Sequence, residues 1–242
     1  MTSFDAKRIL ITGVSSGLGH GLAKNFLASG ASVYGCSRRE PTDLVEAGLQ
    51  FASLDLADES GSRPVLKTFI ADVKQFDLVI LNAGKLGEIR DMTDTPLADL
   101  RETMEINVWA NKWLLDSLFT SGREVKQVVA ISSGASVSGS RGWNGYSLSK
   151  TALNMLVKLY AGEHPKTHFT SLAPGLVDTA MQDYLCEEVD TGQFPSVEKL
   201  KNARGTAGMP KPQAAAGTIL GVLERLRAGD SGQFVDMRTL DD

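Results

Sequence analysis

Short apolar runs rich in β-branched residues alternate with longer segments of helical periodicity along the chain. Short continuous apolar runs are typical of strands buried on both faces, as in parallel sheets. The pattern predicts seven strands: Arg8–Thr12, Ser32–Cys36, Gln50–Leu54, Leu78–Leu81, Gln127–Ser132, Phe169–Ala173 and Gln233–Asp236.

Amphipathic segments lie between most of these runs. They predict helices over Leu18–Ser29, Pro64–Val73, Leu97–Thr120, Tyr146–Gly162 and Gln213–Ala228. A chain that alternates strand and helix forms a parallel sheet, because each return to the same edge needs a crossover connection. We therefore predict an α/β fold: one domain over residues 1–242, a Rossmann-type doubly wound parallel sheet of about seven strands with helices on both faces.

One long segment, from Pro174 to Pro212, lacks a clear strand or helix pattern and contains several glycines and prolines. It follows a predicted strand at the end where open α/β sheets bind ligands. Long segments of this kind are often lids over binding sites. We expect residues 175–211 to form a substrate lid.

Composition and charge exclude several classes of function. The chain has 242 residues, with 25 basic and 29 acidic side chains and a net charge of -4. The charges are scattered and no apolar run approaches the ~20 residues that cross a bilayer, so we expect neither a nucleic-acid partner nor a membrane partner. The N-terminus has no signal-peptide pattern, which favours a cytoplasmic location. The two cysteines and three histidines form no ligand cluster, so no metal is expected.

A glycine-rich loop connects the first predicted strand to the first predicted helix. Glycine permits a tight turn, and a helix N-terminus offers unpaired N–H groups to a phosphate. At this position in a parallel α/β pattern, such a loop predicts a dinucleotide site. The residues expected to contact the dinucleotide are Gly13, Ser15, Ser16, Gly17, Leu18 and Gly19.

The second predicted strand ends in Ser37-Arg38-Arg39, where an NAD-binding chain would place an acidic residue. A carboxylate there repels a 2′-phosphate, whereas a guanidinium binds it with two charge-assisted hydrogen bonds. The sequence therefore favours NADP(H) over NAD(H). The alternative is that Arg38 and Arg39 are solvated charges after a strand.

Candidate catalytic residues follow the fifth predicted strand. Tyr146 and Lys150 lie one helical turn apart, and a nearby ammonium favours the phenolate, which is expected to lower the pKa of Tyr146 toward working pH. Ser133 lies at the end of this fifth strand, where its hydroxyl can hydrogen-bond a substrate carbonyl. The alternative for Ser133 is a turn or cap.

Several motifs occur together in this order: Thr12-Gly13-x-x-x-Gly17-x-Gly19, Asp55-Leu56, Asn82-Ala83-Gly84, Asn107, Ser133, Tyr146 with Lys150, and Pro174-Gly175-Leu176-Val177-Asp178-Thr179. With them the chain resembles the short-chain dehydrogenase/reductase family over nearly its whole length. One departure is Leu81, where the family usually has a first Asn before the Asn-Ala-Gly triplet; we expect altered hydrogen bonding at the sheet edge and retained activity.

The resemblance implies a role for each matching residue. Tyr146 would be the general acid, Ser133 would polarise the carbonyl, Lys150 would bind the nicotinamide ribose, and Asn107 would hold a water that links Lys150 to solvent. The remaining implied cofactor contacts are Asp55, Leu56, Asn82, Ala83, Gly84, Pro174, Gly175, Val177 and Thr179.

Within the family the chain is most similar to sepiapterin reductases and benzil (diketone) reductases. Trp143 could stack on a planar substrate or pack under the lid, and Asp236 could anchor a substrate ring or end a strand as a solvated acid. The resemblance implies an NADPH-dependent carbonyl reductase that forms a homodimer or homotetramer. Two alternatives are an NADP-dependent secondary-alcohol dehydrogenase acting oxidatively and a non-catalytic nucleotide-binding regulator.

Overall fold

The computed structural model describes residues 4–240 and confirms the predicted α/β architecture. Its strands are β1 (Arg8–Thr12), β2 (Ser32–Ser37), β3 (Gln50–Ser53), β4 (Gln75–Phe76), β5 (Leu78–Leu81), β6 (Glu124–Val125), β7 (Gln127–Ile131), β8 (His168–Ala173) and β9 (Gln233–Asp236). Seven form one parallel sheet in the order β3-β2-β1-β5-β7-β8-β9, while β4 and β6 pair separately. Strand order reverses at β1 and β5, which is where such sheets bind ligands.

The helices are α1 (Gly17–Ala28), α2 (Thr42–Glu46), α3 (Glu59–Phe69), α4 (Leu97–Met104), α5 (Ala110–Phe119), α6 (Ala135–Ser138), α7 (Asn144–Glu163), α8 (Ala180–Glu187), α9 (Pro195–Ala203) and α10 (Pro212–Ala228). The predicted start of α3 at Pro64 is wrong, because the Asp58 carboxylate accepts the Gly61 N–H at 3.0 Å and begins the helix earlier.

The sheet divides the core into two apolar layers. On β1, Ile9 and Ile11 pack on the side of α1 and α10, whereas Leu10 packs on the side of α3, α5 and α7. Both faces of the strand are thus buried, which explains its continuous apolar run. No helix within residues 4–240 has the length and hydropathy needed to span a membrane.

The segment of residues 175–211 is not the irregular loop that its composition indicates, because it contains α8 and α9. Its role as a lid stays a prediction. Pro195 occupies the first turn of α9, where its missing N–H costs no hydrogen bond. Val197 and Leu200 of α9 pack with Leu185 of α8 in a third apolar cluster. Such short helices depend on tertiary packing rather than on helix propensity, so the local sequence signal is weak.

Candidate active site

A cleft of about 780 Å³ opens at the carboxyl ends of the strands. It brings together almost all of the predicted site residues from distant parts of the chain. The predicted residues that line it are Gly13, Ser15, Ser16, Gly17, Leu18, Ser37, Arg38, Arg39, Asp55, Leu56, Asn82, Ala83, Gly84, Ser133, Trp143, Tyr146, Lys150, Pro174, Gly175, Val177 and Thr179. Gly19, Asn107 and Asp236 lie outside this lining.

The glycine loop is folded as a cradle at the N-terminus of α1. Gly13 and Gly17 have φ values of 77° and 58°, a region that favours glycine. No side chain caps the helix at Ser16, which leaves the N–H groups of its first turn for a ligand. Behind the loop, a Cβ on Gly19 would lie 2.2 Å from the Gly13 carbonyl oxygen. Only glycine therefore fits where α1 packs against the loop.

Asn82 holds this loop against the sheet. Its side-chain Nδ2 donates to the Thr12 and Gly13 carbonyl oxygens at 2.9 and 3.2 Å. The Thr12 hydroxyl accepts the backbone N–H groups of Asn82 and Ala83, both at 3.0 Å. Leu81, the departure from the family pattern, is buried in the core and takes no part in these bonds. Its expected effect on hydrogen bonding at the sheet edge stays a prediction.

Arg38 and Arg39 follow β2 at the mouth of the cleft, with exposed side chains. The Ser53 hydroxyl donates to the Arg38 carbonyl, and the Ser37 hydroxyl donates to the Arg39 carbonyl. In the part of the chain that the structure describes, neither guanidinium forms an ion pair. Both cations are therefore available to an anionic ligand.

Ser133, Tyr146 and Lys150 meet on one wall of the cleft. The Lys150 ammonium lies 5.7 Å from the centroid of the Tyr146 ring and donates to the Ile131 carbonyl at 2.7 Å. Ile131 ends β7, so this bond fixes the lysine helix to the strand that leads to Ser133. Ser133 Oγ accepts the Ala135 N–H at 3.1 Å, which makes it a turn residue as well as part of the cleft wall.

The pKa of Tyr146 is raised in this structure, contrary to the expected lowering. Burial raises the pKa of Tyr146, with the Ser133 hydroxyl acting in the opposite direction. Burial also lowers the pKa of Lys150 to about 8. Lys150 therefore loses its proton at a lower pH than an exposed lysine does. The pKa shift of Tyr146 comes from burial and the Ser133 hydroxyl rather than from the lysine charge.

Lys150 provides a test through stability. Its pKa is lowered from 10.5 to about 8 on folding, so the unfolded chain binds more protons between these pH values and the wild type gains stability as pH rises through them. We expect the free energy of unfolding, measured against Lys150→Met, to rise by about 3 kcal/mol from about pH 7 to about pH 11. Denaturant titrations at a series of pH values measure this difference; a constant difference would contradict the buried ammonium.

Asn107 lies beside the cleft wall and is fully buried in a π-helical turn, Glu105–Trp109, between α4 and α5. Its Oδ1 accepts the Lys85 N–H at 2.7 Å, and its Nδ2 donates to the Lys85 carbonyl and to Ser149 Oγ. A Cβ on Gly84 would lie 3.1 Å from Asn107 Oδ1 and 3.5 Å from Lys150 Nζ, so the two groups flank one point. Its water-holding role remains a prediction.

Trp143 and Asp236 have protein partners. Trp143 both lines the cleft and contacts α9, because its Nε1 donates to Ser196 Oγ of that helix at 2.9 Å. Asp236 accepts the Nε and Nη2 of Arg238 at 2.9 and 2.5 Å. This guanidinium holds the pKa of Asp236 below its ordinary value. The structure thus places Asp236 in an ion pair at the strand end, outside the cleft lining.

Sequence reasoning assigned no role to the side chains that α8 and α9 contribute to the cleft. Met181, Gln182 and Leu185 come from α8, and Leu200 comes from α9. Met181 and Gln182 belong to the stretch that resembles sepiapterin reductases. The signal that could have found them is helical periodicity in this segment, because it would have shown which side chains share the buried face of α8.

The geometry agrees with comparisons to known proteins. A family model of short chain dehydrogenases matches residues 7–190. The chain belongs to the short-chain dehydrogenase family. Benzil reductase ((S)-benzoin forming) of Bacillus subtilis is 29% identical over 243 residues, covering 95% of this chain and 97% of that protein. Sepiapterin reductase of Meriones unguiculatus is 29% identical, with 94% of each chain covered.

Solved structures match the fold. The crystal structure of KRED1-Pglu has a TM-score of 0.84 at 24% identity, covering 95% of this chain and 100% of that one. The family resemblance derived from the motifs is confirmed, as is its fold class. Family membership makes the protein an oxidoreductase that acts on alcohol or carbonyl groups and uses a nicotinamide cofactor.

Proposed function

We propose that this protein is an NADPH-dependent carbonyl reductase of the sepiapterin and benzil reductase kind, acting on a ketone, dicarbonyl or aldehyde. The observation that carries the proposal is the meeting of Ser133, Tyr146 and Lys150 on a cleft that also contains the uncapped N-terminus of α1. A non-catalytic nucleotide binder has no need of these three side chains in one place.

The cleft fits a dinucleotide. The glycine cradle and free N–H groups of α1 would hold the pyrophosphate, and Asp55 and Leu56 would contact the adenine. Val177 and Thr179, on the loop after β8, would hold the nicotinamide end, with Lys150 on the adjoining ribose. When bound, the nicotinamide supplies the hydride of the reduction.

The chain itself supplies orientation and a proton. Tyr146 keeps its phenolic proton at neutral pH, since burial raises its pKa, and can deliver it to the reduced carbonyl oxygen. The Ser133 hydroxyl donates to the same oxygen and fixes its position. Lys150, whose pKa of about 8 lies closer to neutrality than its ordinary value, can return a proton to the tyrosine.

Arg38 is the residue that we propose selects NADPH. Removing a charge-assisted hydrogen bond to the 2′-phosphate is expected to raise the KM for NADPH about 10- to 100-fold in Arg38→Ala. The KM for NADH, which lacks this phosphate, is expected to stay within about twofold. Arg101→Ala, an exposed arginine of α4 outside the cleft lining, is the matched control. Equal losses for both cofactors would contradict the assignment.

The apolar part of the cleft lining supports the choice of substrate. Trp143, which precedes α7, and Met181, Leu185 and Leu200 of the proposed lid form a surface suited to a planar or aryl group. The test is NADPH oxidation with sepiapterin, benzil, a simple aromatic aldehyde and a simple ketone, repeated with NADH. We expect turnover of the dicarbonyl or pterin substrates with NADPH; binding of NADPH with no turnover across the panel would contradict the proposal.

We also propose that the enzyme is a cytoplasmic homodimer or homotetramer. Leu148, Met155 and Leu159 lie along one side of α7 with more than half of each side chain exposed. An apolar row of this kind is suited to a symmetric contact with a second copy.

A further inference from the structure

One polar side chain in the cleft lacks a hydrogen-bond partner. Gln182, in the first turn of α8, is 8% exposed and lines the cleft. Its Oε1 is buried and has no donor among residues 4–240. Its backbone N–H donates to the Thr179 carbonyl at 2.8 Å, which fixes the start of the side chain, but no protein group within these residues bonds the carboxamide.

The surroundings of Gln182 make this arrangement costly. Met181, Leu185 and Leu200 line the same cleft without polar atoms that bond a carboxamide. The indole N–H of Trp143 is taken by Ser196. A buried amide oxygen without a partner destabilises the fold, and native proteins satisfy nearly all such groups. Because Oε1 itself is shielded from solvent, a ligand group in the cleft that Gln182 lines would reach the carboxamide through a rotation of its end.

A carboxamide offers one acceptor and one donor group, and a half-turn of its end exchanges them. It can therefore donate to a second carbonyl oxygen or accept from a ring N–H or hydroxyl. In an otherwise apolar wall, one such group fixes the orientation of the ligand. Benzil is apolar except for its two carbonyl oxygens, one of which the Ser133 and Tyr146 hydroxyls would engage.

We propose that Gln182 is a specificity-determining residue that hydrogen-bonds the second polar group of the substrate, next to the carbonyl that is reduced. This assignment rests on the proposed function. It defines the substrate class as apolar or aryl ketones that carry a vicinal carbonyl, hydroxyl or ring N–H. The cofactor amide is the competing partner, because Gln182 lies within one helical turn of Thr179.

The test compares Gln182→Met, which keeps the side-chain length and removes the carboxamide, on two ketones with one skeleton. Benzil has two adjacent carbonyls, whereas deoxybenzoin has a methylene in place of one of them. We expect Gln182→Met to lower kcat/KM for benzil about tenfold and for deoxybenzoin less than about twofold. The KM for NADPH stays unchanged, and Tm does not fall, because the variant removes an unsatisfied polar atom.

Gln193→Met is the matched control, since Gln193 is an exposed lid glutamine outside the cleft lining. It is expected to leave the kinetics of both ketones unchanged. Equal losses for benzil and deoxybenzoin in Gln182→Met, or a rise in the KM for NADPH, would overturn the assignment alone. If the wild type turns over neither ketone with NADPH, the proposed function falls and the assignment falls with it.

Discussion

Tyr146→Phe is expected to lower kcat for carbonyl reduction about 10²- to 10⁴-fold, the range for loss of a positioned general acid. The ring keeps its place on α7 beside Trp143 and Lys150, and only the hydroxyl that delivers the proton is lost. The dissociation constant for NADPH is expected to remain within about twofold, because the glycine cradle and the arginines that would bind it are untouched. Steady-state kinetics and a fluorescence titration of NADPH measure the two quantities separately.

Tyr34→Phe is the matched control for this variant. Tyr34 packs edge-on against Phe69 and Phe76, outside the cleft lining, and phenylalanine keeps these ring contacts. Its turnover is expected to equal that of the wild type. Wild-type turnover in Tyr146→Phe itself would show that another group delivers the proton.

Gly19→Ala is expected to abolish NADPH binding by displacing the glycine cradle. The added Cβ would lie 2.2 Å from the Gly13 carbonyl oxygen and 2.4 Å from Asn82 Nδ2, so the loop and its Asn82 hydrogen bonds must move. The free energy of unfolding is expected to fall by about 1–3 kcal/mol, as for other overpacked sites. Calorimetric titration with NADPH and denaturant unfolding measure both effects.

Gly221→Ala provides the corresponding control in α10, where nothing lies within 4 Å of the added Cβ. Alanine has a higher helix propensity than glycine, so the free energy of unfolding of this variant is expected to rise by about 0.5–1 kcal/mol. The variant is expected to bind NADPH as the wild type does. If Gly19→Ala behaved like Gly221→Ala, the close packing behind the cradle would have no role.

The sequence predicts the features that depend on local spacing. The glycine loop between Thr12 and Gly19 needs particular residues at fixed positions, and Tyr146 and Lys150 share a helix face by their spacing alone. The seven strands of the main sheet are also predictable, because burial on both faces gives each a continuous apolar run.

The features that the sequence does not predict depend on contacts between distant segments. The π-helical turn that carries Asn107 depends on bonds to Lys85 and Ser149, which lie far along the chain. The pKa of Tyr146 follows from how deeply the cleft wall is buried, whereas neighbouring charge alone indicates the opposite direction. Helices α8 and α9 are stabilised by packing in the third apolar cluster, so their composition alone indicates a loop.

NADPH-dependent carbonyl reduction is tested most directly by incubating the purified enzyme with benzil and either NADPH or NADH, measuring the loss of reduced cofactor and the formation of benzoin together. We expect one benzoin for each NADPH consumed, a much lower rate with NADH at equal concentration, and loss of both signals in Tyr146→Phe. Cofactor consumption without benzoin, or equal rates with NADH and NADPH, would contradict it.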